Sequence, residues 1–234
     1  MKLVMFDMDG TLTDSFSLDE NCYVLAIQQA LNLSDVVTDW ESYPHTSASY
    51  CLKEIVRATR GRPPTAEESH AVQRRMIGLM DEISQRRGRG TSEIPGAAAC
   101  VRELLQRDFA VAIASGDWEA TAHYKLTTAG IPFHNLPAAF CEVAHARTEI
   151  MGCALRSAAA HYGCESFERV VYVGDARWDV RACRELGWPL VGVAQGAHAA
   201  RLKSFGATEV IADYRQFDEF LAALARATPP APAG

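Results

Sequence analysis

Apolar residues recur in two rhythms along this chain, and the change from one to the other divides it. Leu3-Val4-Met5-Phe6 is a short unbroken apolar run that contains β-branched Val4 and an aromatic and stops at an Asp/Gly turn, which predicts a buried strand. From 19 to 32, Tyr23, Ala26, Ile27, Ala30 and Leu31 fall at steps of three and four and mark one face of a helix. A second helix is predicted over 47–60 through Leu52, Ile55 and Val56. A third follows Pro63-Pro64, where Thr65 and Glu68 have capping-box spacing and Val72, Met76, Leu79, Met80 and Ile83 share a face. Residues 16–90 therefore read as all-helical.

The segment 88–96, with three glycines and Pro95, ends that rhythm. Beyond it, helical patterns at 97–107, 119–129, 148–162 and 177–187 alternate with strand-length apolar runs at 109–114, 138–141, 169–173 and 190–193, and a further helix, strand and helix reach Leu221. Strands buried on both faces and alternating with helices imply an α/β layer fold with a parallel sheet. The expected division is an α/β core from 1–15 and 91–228, a helical insert from 16–90, and a disordered Pro/Ala tail at 229–234. Flexible links at 13–17 and 88–96 would let the insert rock over a crevice as a lid does.

Composition narrows the function. The 234 residues are 48% hydrophobic and carry a formal net charge of −6, so a phosphate-backbone surface is not expected and nucleic acid is excluded as a partner. The seven cysteines are scattered and never form a CxxC pair, which fits reduced structural thiols rather than a disulfide framework or zinc site. The first residues lead straight into a strand and no apolar run reaches membrane-span length, so a cytoplasmic protein without a membrane partner is expected. Oligomeric state is not legible.

Chemistry gathers at strand ends. Asp7 and Asp9 stand where the first strand turns at Gly10, so both carboxylates can lean toward the crevice in which open α/β sheets bind ligands. Ser115-Gly116 follows the 109–114 strand at a helix start, where hydroxyl and amide donors suit phosphate oxygens. Asp175 and Asp179 lie four apart after the 169–173 strand, and Arg147 precedes the helix of 148–162. Alone, each of these could be a turn former, a helix cap or a solvated surface charge.

Together they resemble the haloacid dehalogenase (HAD) superfamily, phosphoglycolate phosphatase-like branch. Its opening signature is similar to Phe6-Asp7-Met8-Asp9-Gly10-Thr11-Leu12-Thr13-Asp14, and its fourth motif to Gly174-Asp175 followed by Asp179. The resemblance implies a Rossmann-like parallel core with an inserted helical cap, and a magnesium-dependent phosphatase of a small phosphorylated metabolite. It gives Asp7 the role of nucleophile in an aspartyl-phosphate mechanism and Asp9 that of general acid and base. Mg2+ would be held by Asp7, the Asp9 carbonyl and Asp175, with Asp179 in support. Thr11, Ser115, Gly116 and Arg147 would hold the phosphoryl oxygens.

The family pattern usually has lysine where Arg147 stands. Among the lysines here, Lys125 lies ten residues beyond Ser115, roughly 15 Å along a helix axis, and is expected to be out of reach. In the insert, His45, Tyr50, Lys53, Arg57 and Arg60 are candidates to contact substrate. A phosphomutase of the β-phosphoglucomutase kind shares both aspartates and is the alternative enzyme, and a non-catalytic metabolite-binding protein of the same fold is the alternative to an enzyme. Asp9 and Asp175 disfavour dehalogenation. Asp9 also disfavours phosphonoacetaldehyde hydrolysis, for which Lys53 would be the amine.

Overall fold

A computed structural model describes residues 1–231, without the side chain of Ser17. Six parallel strands form the core sheet: β1 (Lys2–Phe6), β4 (Phe109–Ala114), β5 (Ala138–Ala139), β6 (Arg169–Gly174), β7 (Leu190–Val193) and β8 (Glu209–Ile211), in the order β5-β4-β1-β6-β7-β8. The N-terminal strand is thus central. It pairs with β4 through Leu3↔Ala110 and Met5↔Ala112, and with β6 through Leu3↔Val170 and Met5↔Tyr172.

Alternation along β1 builds both halves of the core. Leu3 and Met5 face one layer with Ile150 and Ala154 of α6 (Arg147–Tyr162) and Val180 of α7 (Arg177–Leu186). Val4 and Phe6 face the other, with Val101 and Leu104 of α4 (Ala97–Leu105) and Phe220 of α9 (Phe217–Arg226). Both faces are covered, so the interior positions of the strands are dominated by apolar residues on both sides, with the charged Lys2, Arg169 and Glu209 only at strand starts. Helices α5 (Glu119–Thr128) and α8 (Gly196–Ser204) complete the wrapping.

The insert is helical as expected: α1 (Phe16–Leu31), α2 (Ala48–Arg60) and α3 (Ala66–Arg87), with a 3-10 turn at Trp40–Ser42. The capping box at α3 is formed, Glu68 N–H donating to Thr65 Oγ1 at 3.1 Å and Thr65 N–H to Glu68 Oε2 at 2.7 Å. The links differ from expectation. Rather than two independent flexible segments, they pair as an antiparallel ribbon of β2 (Thr13–Asp14) and β3 (Ser92–Glu93), Thr13 opposite Glu93 and Asp14 opposite Ser92. Backbone hydrogen bonding couples the way into the insert to the way out, so the two links move together.

Of the expected tail, 229–231 are described and are held. Ala231 N–H donates to the Gly206 carbonyl at 3.2 Å and Arg184 Nε donates to the Ala231 carbonyl at 2.8 Å, while 232–234 lie outside the described residues. Among the described residues no helix is long and apolar enough to cross a membrane.

Candidate active site

Asp7 N–H donates to the Val173 carbonyl at 2.9 Å, which continues the sheet by one residue and pins the carboxylate at the carboxyl edge of β1. The chain then tightens: the N–H groups of Thr11, Leu12 and Thr13 all donate to the Met8 carbonyl, and Gly10 turns with φ +73°. A Cβ at Gly10 would stand 2.1 Å from Asp175 Oδ2, so only glycine lets this loop close onto the end of β6.

Carboxylate oxygens of Asp7, Asp175 and Asp179 lie within 4.8 Å of one another, and all three residues are buried. Expected only in a supporting role, Asp179 stands inside this cluster. Its Oδ2 accepts from Ala176 N–H at 3.1 Å, and its Oδ1 has no hydrogen-bond partner. Arg147, at the first position of α6, donates to Asp7 Oδ1 at 3.1 Å and passes 3.7 Å from Asp179 Oδ1. One guanidinium against three acids leaves surplus negative charge. Burial, reinforced by Asp179, Asp7 and Asp9, pushes the Asp175 carboxyl well above the usual range. Burial and the nearby Asp7 push Asp179 up to about 7 against the pull of Arg147. Asp7 is raised by burial, with Arg147 opposing.

Buried oxygen donors with surplus charge and an orphaned lone pair fit a hard divalent cation such as Mg2+, which takes oxygen ligands. An expected result follows for Asp175→Asn: relieved of one repelling charge, the metal-free protein gains about 1 kcal/mol of stability, while the rise in Tm on adding MgCl2 is lost. A variant that keeps the wild-type magnesium shift in thermal denaturation would exclude Asp175 as a ligand.

Ser115 follows β4 and is buried, its N–H donating to the Ala139 carbonyl at 3.1 Å. The Gly116 carbonyl accepts from Ala48 N–H at 2.8 Å, so α2 of the insert begins directly on this loop. A Cβ on Gly116 would meet the Thr46 carbonyl at 2.9 Å, a close approach that only glycine permits. Ser47 Oγ donates to the His145 carbonyl at 3.0 Å and Ser49 Oγ to Cys141 at 2.9 Å, which fastens the insert over the site. Ser115, Gly116 and Arg147 line one cavity with Asp7 and Asp9. Thr11 does not join them: it is buried off the cavity wall, its N–H is taken by Met8 and its hydroxyl has no partner.

Lys125 corrects an expectation. Far from being out of reach, its fully buried ammonium lies 2.7 Å from both Asp9 oxygens and 2.8 Å from Asp117 Oδ2, and it also pairs with Asp19 of α1. The earlier distance was measured from Ser115, whereas the partner is Asp9, beside which α5 runs. Side chains on a helix lean toward its N-terminus, and a lysine stem adds several ångströms of reach. Asp117, Thr121 and Lys125 fall at i, i+4 and i+8, a polar stripe that could have disclosed the cluster. Ser15 Oγ also donates to Asp9 Oδ1.

The roof of the cavity comes from the insert, but not from its basic helix face. Phe16, Glu20 and Tyr23 of α1 and Trp40 of the 3-10 turn line it, whereas His45, Tyr50, Lys53, Arg57 and Arg60 do not. Lys53 lies over the Tyr50 ring at 5.4 Å, and Arg60 donates to Glu68 and the Leu31 carbonyl.

Comparisons with known proteins agree with this architecture. A search of the curated proteins finds no match. Among solved structures the chain is similar to a hydrolase from Pseudomonas syringae (20% identity over 95% of this chain and 98% of that one, TM-score 0.69). It is also similar to CbbY from Rhodobacter sphaeroides in complex with phosphate (19% identity, 95% and 98% covered, TM-score 0.70). A third is a haloacid dehalogenase-like family hydrolase from Streptococcus pneumoniae (17% identity, 94% and 97% covered, TM-score 0.61). At these identities the likeness shows the fold. The sequence model of the haloacid dehalogenase-like hydrolases matches residues 1–187, so with its parallel core and inserted helical cap this chain belongs to that family of hydrolases.

Proposed function

We propose that the protein is a magnesium-dependent phosphatase of a small phosphorylated metabolite, working through an aspartyl-phosphate on Asp7. The observation that carries this reading is the buried cluster of Asp7, Asp175 and Asp179 with Arg147 against Asp7, because a carboxylate can attack an anionic ester only where positive charge offsets their repulsion. Asp7, the Asp9 carbonyl and Asp175 would hold Mg2+, with Asp179 beside them, and the ion would supply that charge. Ser115, the Gly116 amide and Arg147 orient the phosphoryl oxygens, and Thr11 shapes the loop.

In the first step an Asp7 oxygen attacks phosphorus, the ester P–O bond breaks, and Asp9 delivers a proton to the departing alkoxide. In the second, water attacks phosphorus, Asp9 takes its proton, and the bond to Asp7 breaks to free inorganic phosphate. Both Asp9 oxygens face Lys125 here, so proton transfer requires that side chain to turn toward the crevice. Phosphate release from 4-nitrophenyl phosphate with MgCl2 tests the reading. Its absence there and across a broad panel of phosphate monoesters would overturn it, and conversion of a sugar phosphate to its isomer without release would favour a phosphomutase.

A pH dependence follows from the raised acids. With a folded pKa of about 7 against an ordinary 3.8, Asp179 binds more protons folded than unfolded across that window, so the metal-free protein loses stability as pH rises through it. A divalent cation held by Asp7 and Asp175 would favour the ionised form of Asp179 beside them, so its affinity should strengthen as pH rises toward 8. Titration of the thermal shift with MgCl2 should give an apparent Kd roughly tenfold weaker at pH 6 than at pH 8; equal values would disprove the coupling.

A further inference from the structure

Beyond the phosphoryl site, the cavity has walls whose chemistry specifies what the phosphate is attached to. Tyr23 and Trp40 meet nearly at right angles, with ring centroids 5.6 Å apart and planes at 79°, and so form an aromatic corner. Phe16, 47% exposed, and Trp178 line the same space. The indole N–H of Trp178 is buried without a partner. Glu20 stands at this corner, accepting from Trp40 Nε1 at 2.8 Å.

The charges around the cavity are unevenly matched. Asp7 has Arg147, while Asp9, Asp19 and Asp117 share Lys125. Among the described residues Glu20 has no cationic partner, and Arg147 is the cavity's sole lining cation, already committed to Asp7. A second phosphate or a carboxylate on the substrate would find no counter-charge here and would face Glu20. An ammonium would find the half-exposed Phe16 ring and the lining edge of Trp40, aromatic groups that attract cations through the ring quadrupole, and in Glu20 a carboxylate whose one neighbour is the neutral Trp40 indole.

We propose that the substrate is a phosphate monoester of an amino alcohol, its positively charged alkylammonium seated in the corner of Tyr23, Trp40 and Phe16 beside Glu20. This rests on the phosphatase reading above and names the leaving group. Phosphoryl site and aromatic corner line one cavity, so a single small molecule can reach both. Glycolate phosphate and sugar bisphosphates are poor ligands for the same reason that ammonium esters are good ones.

Choline phosphate and 3,3-dimethylbutyl phosphate provide the test, since they share size and shape and differ in the charge of one central atom. Calorimetry on the Asp7→Asn variant with MgCl2 measures their binding without turnover. Choline phosphate should bind about tenfold tighter than its neutral isostere, ethanolamine phosphate should also exceed it, and glycolate phosphate should bind more weakly than either. In the Asp7→Asn, Glu20→Gln double variant the ratio between the isosteres should fall severalfold. Equal binding of the two isosteres, or preference for glycolate phosphate, would overturn the assignment. Hydrolysis of 4-nitrophenyl phosphate by the wild-type protein, measured alongside, separates failure of this inference from failure of the phosphatase reading.

Discussion

Asp7→Asn is expected to lower kcat for 4-nitrophenyl phosphate by about four orders of magnitude or more, the largest loss from any single change in the protein. The carboxamide fills the same volume at the end of β1, and Asp7 N–H keeps its bond to Val173, so the fold is retained. What disappears is the oxygen proposed to attack phosphorus, and no second carboxylate holds its place: Asp9 is turned to Lys125, and Asp179 is fixed by Ala176. Because one of several repelling buried acids is removed, Tm of the metal-free variant should stay within about 4 °C of wild type. Activity surviving in a variant shown by mass spectrometry to be free of deamidation would refute the nucleophile assignment.

Lys125→Met should have the largest effect on stability, a loss of about 3–5 kcal/mol and a fall in Tm on the order of 10 °C. The methionine approximates the stem but leaves Asp9, Asp19 and Asp117 facing one another without a cation. Even with the ammonium present, burial raises the carboxyls of Asp19 and Asp117, Lys125 only partly opposing it. Without it the folded form would hold protons that the unfolded chain releases above about pH 4, so the variant's stability falls as pH rises, and its deficit should be larger at pH 8 than at pH 5. In the wild type, burial works against the Lys125 charge but the three acids prevail and raise its pKa, so its contribution is complete below 10.5 and is lost only as pH climbs through the folded value. Guanidinium denaturation at the two pH values decides this; a deficit below about 1 kcal/mol, or one greater at pH 5, would show that the cluster is not held as an ion network.

The sequence displayed the core because its signals there are local. Phe109–Ala114 and Leu190–Val193 are apolar runs that end where their strands end, and Asp7, Ser115 and Asp175 each sit one residue beyond the end of β1, β4 or β6, so strand prediction alone placed them along one sheet edge. What stayed hidden depends on tertiary pairing. The two-residue strands at Thr13–Asp14 and Ser92–Glu93 are too short to have a period and exist because two distant segments meet. Lys125 looked remote while its partner was sought along its own helix instead of across to the Asp9 loop. In the insert the basic residues on and beside α2 were the expected substrate contacts, whereas the cavity is lined by Phe16, Glu20 and Tyr23 of α1, by Trp40, and by the small residues Ala48 and Cys51 of α2.

The placement of the first strand in the middle of the sheet bears on biosynthesis. β1 ends at Phe6, yet the neighbours on its two sides begin only at Phe109 and Arg169. At translation rates of about 5–20 residues per second, an apolar segment with unsatisfied edges leaves the ribosome roughly ten seconds or more before it can be sandwiched. The helical insert, meanwhile, can gather α1 against α3 early. For that interval the nascent chain exposes an unpaired apolar segment at its N-terminal end, the kind of surface that holding chaperones bind.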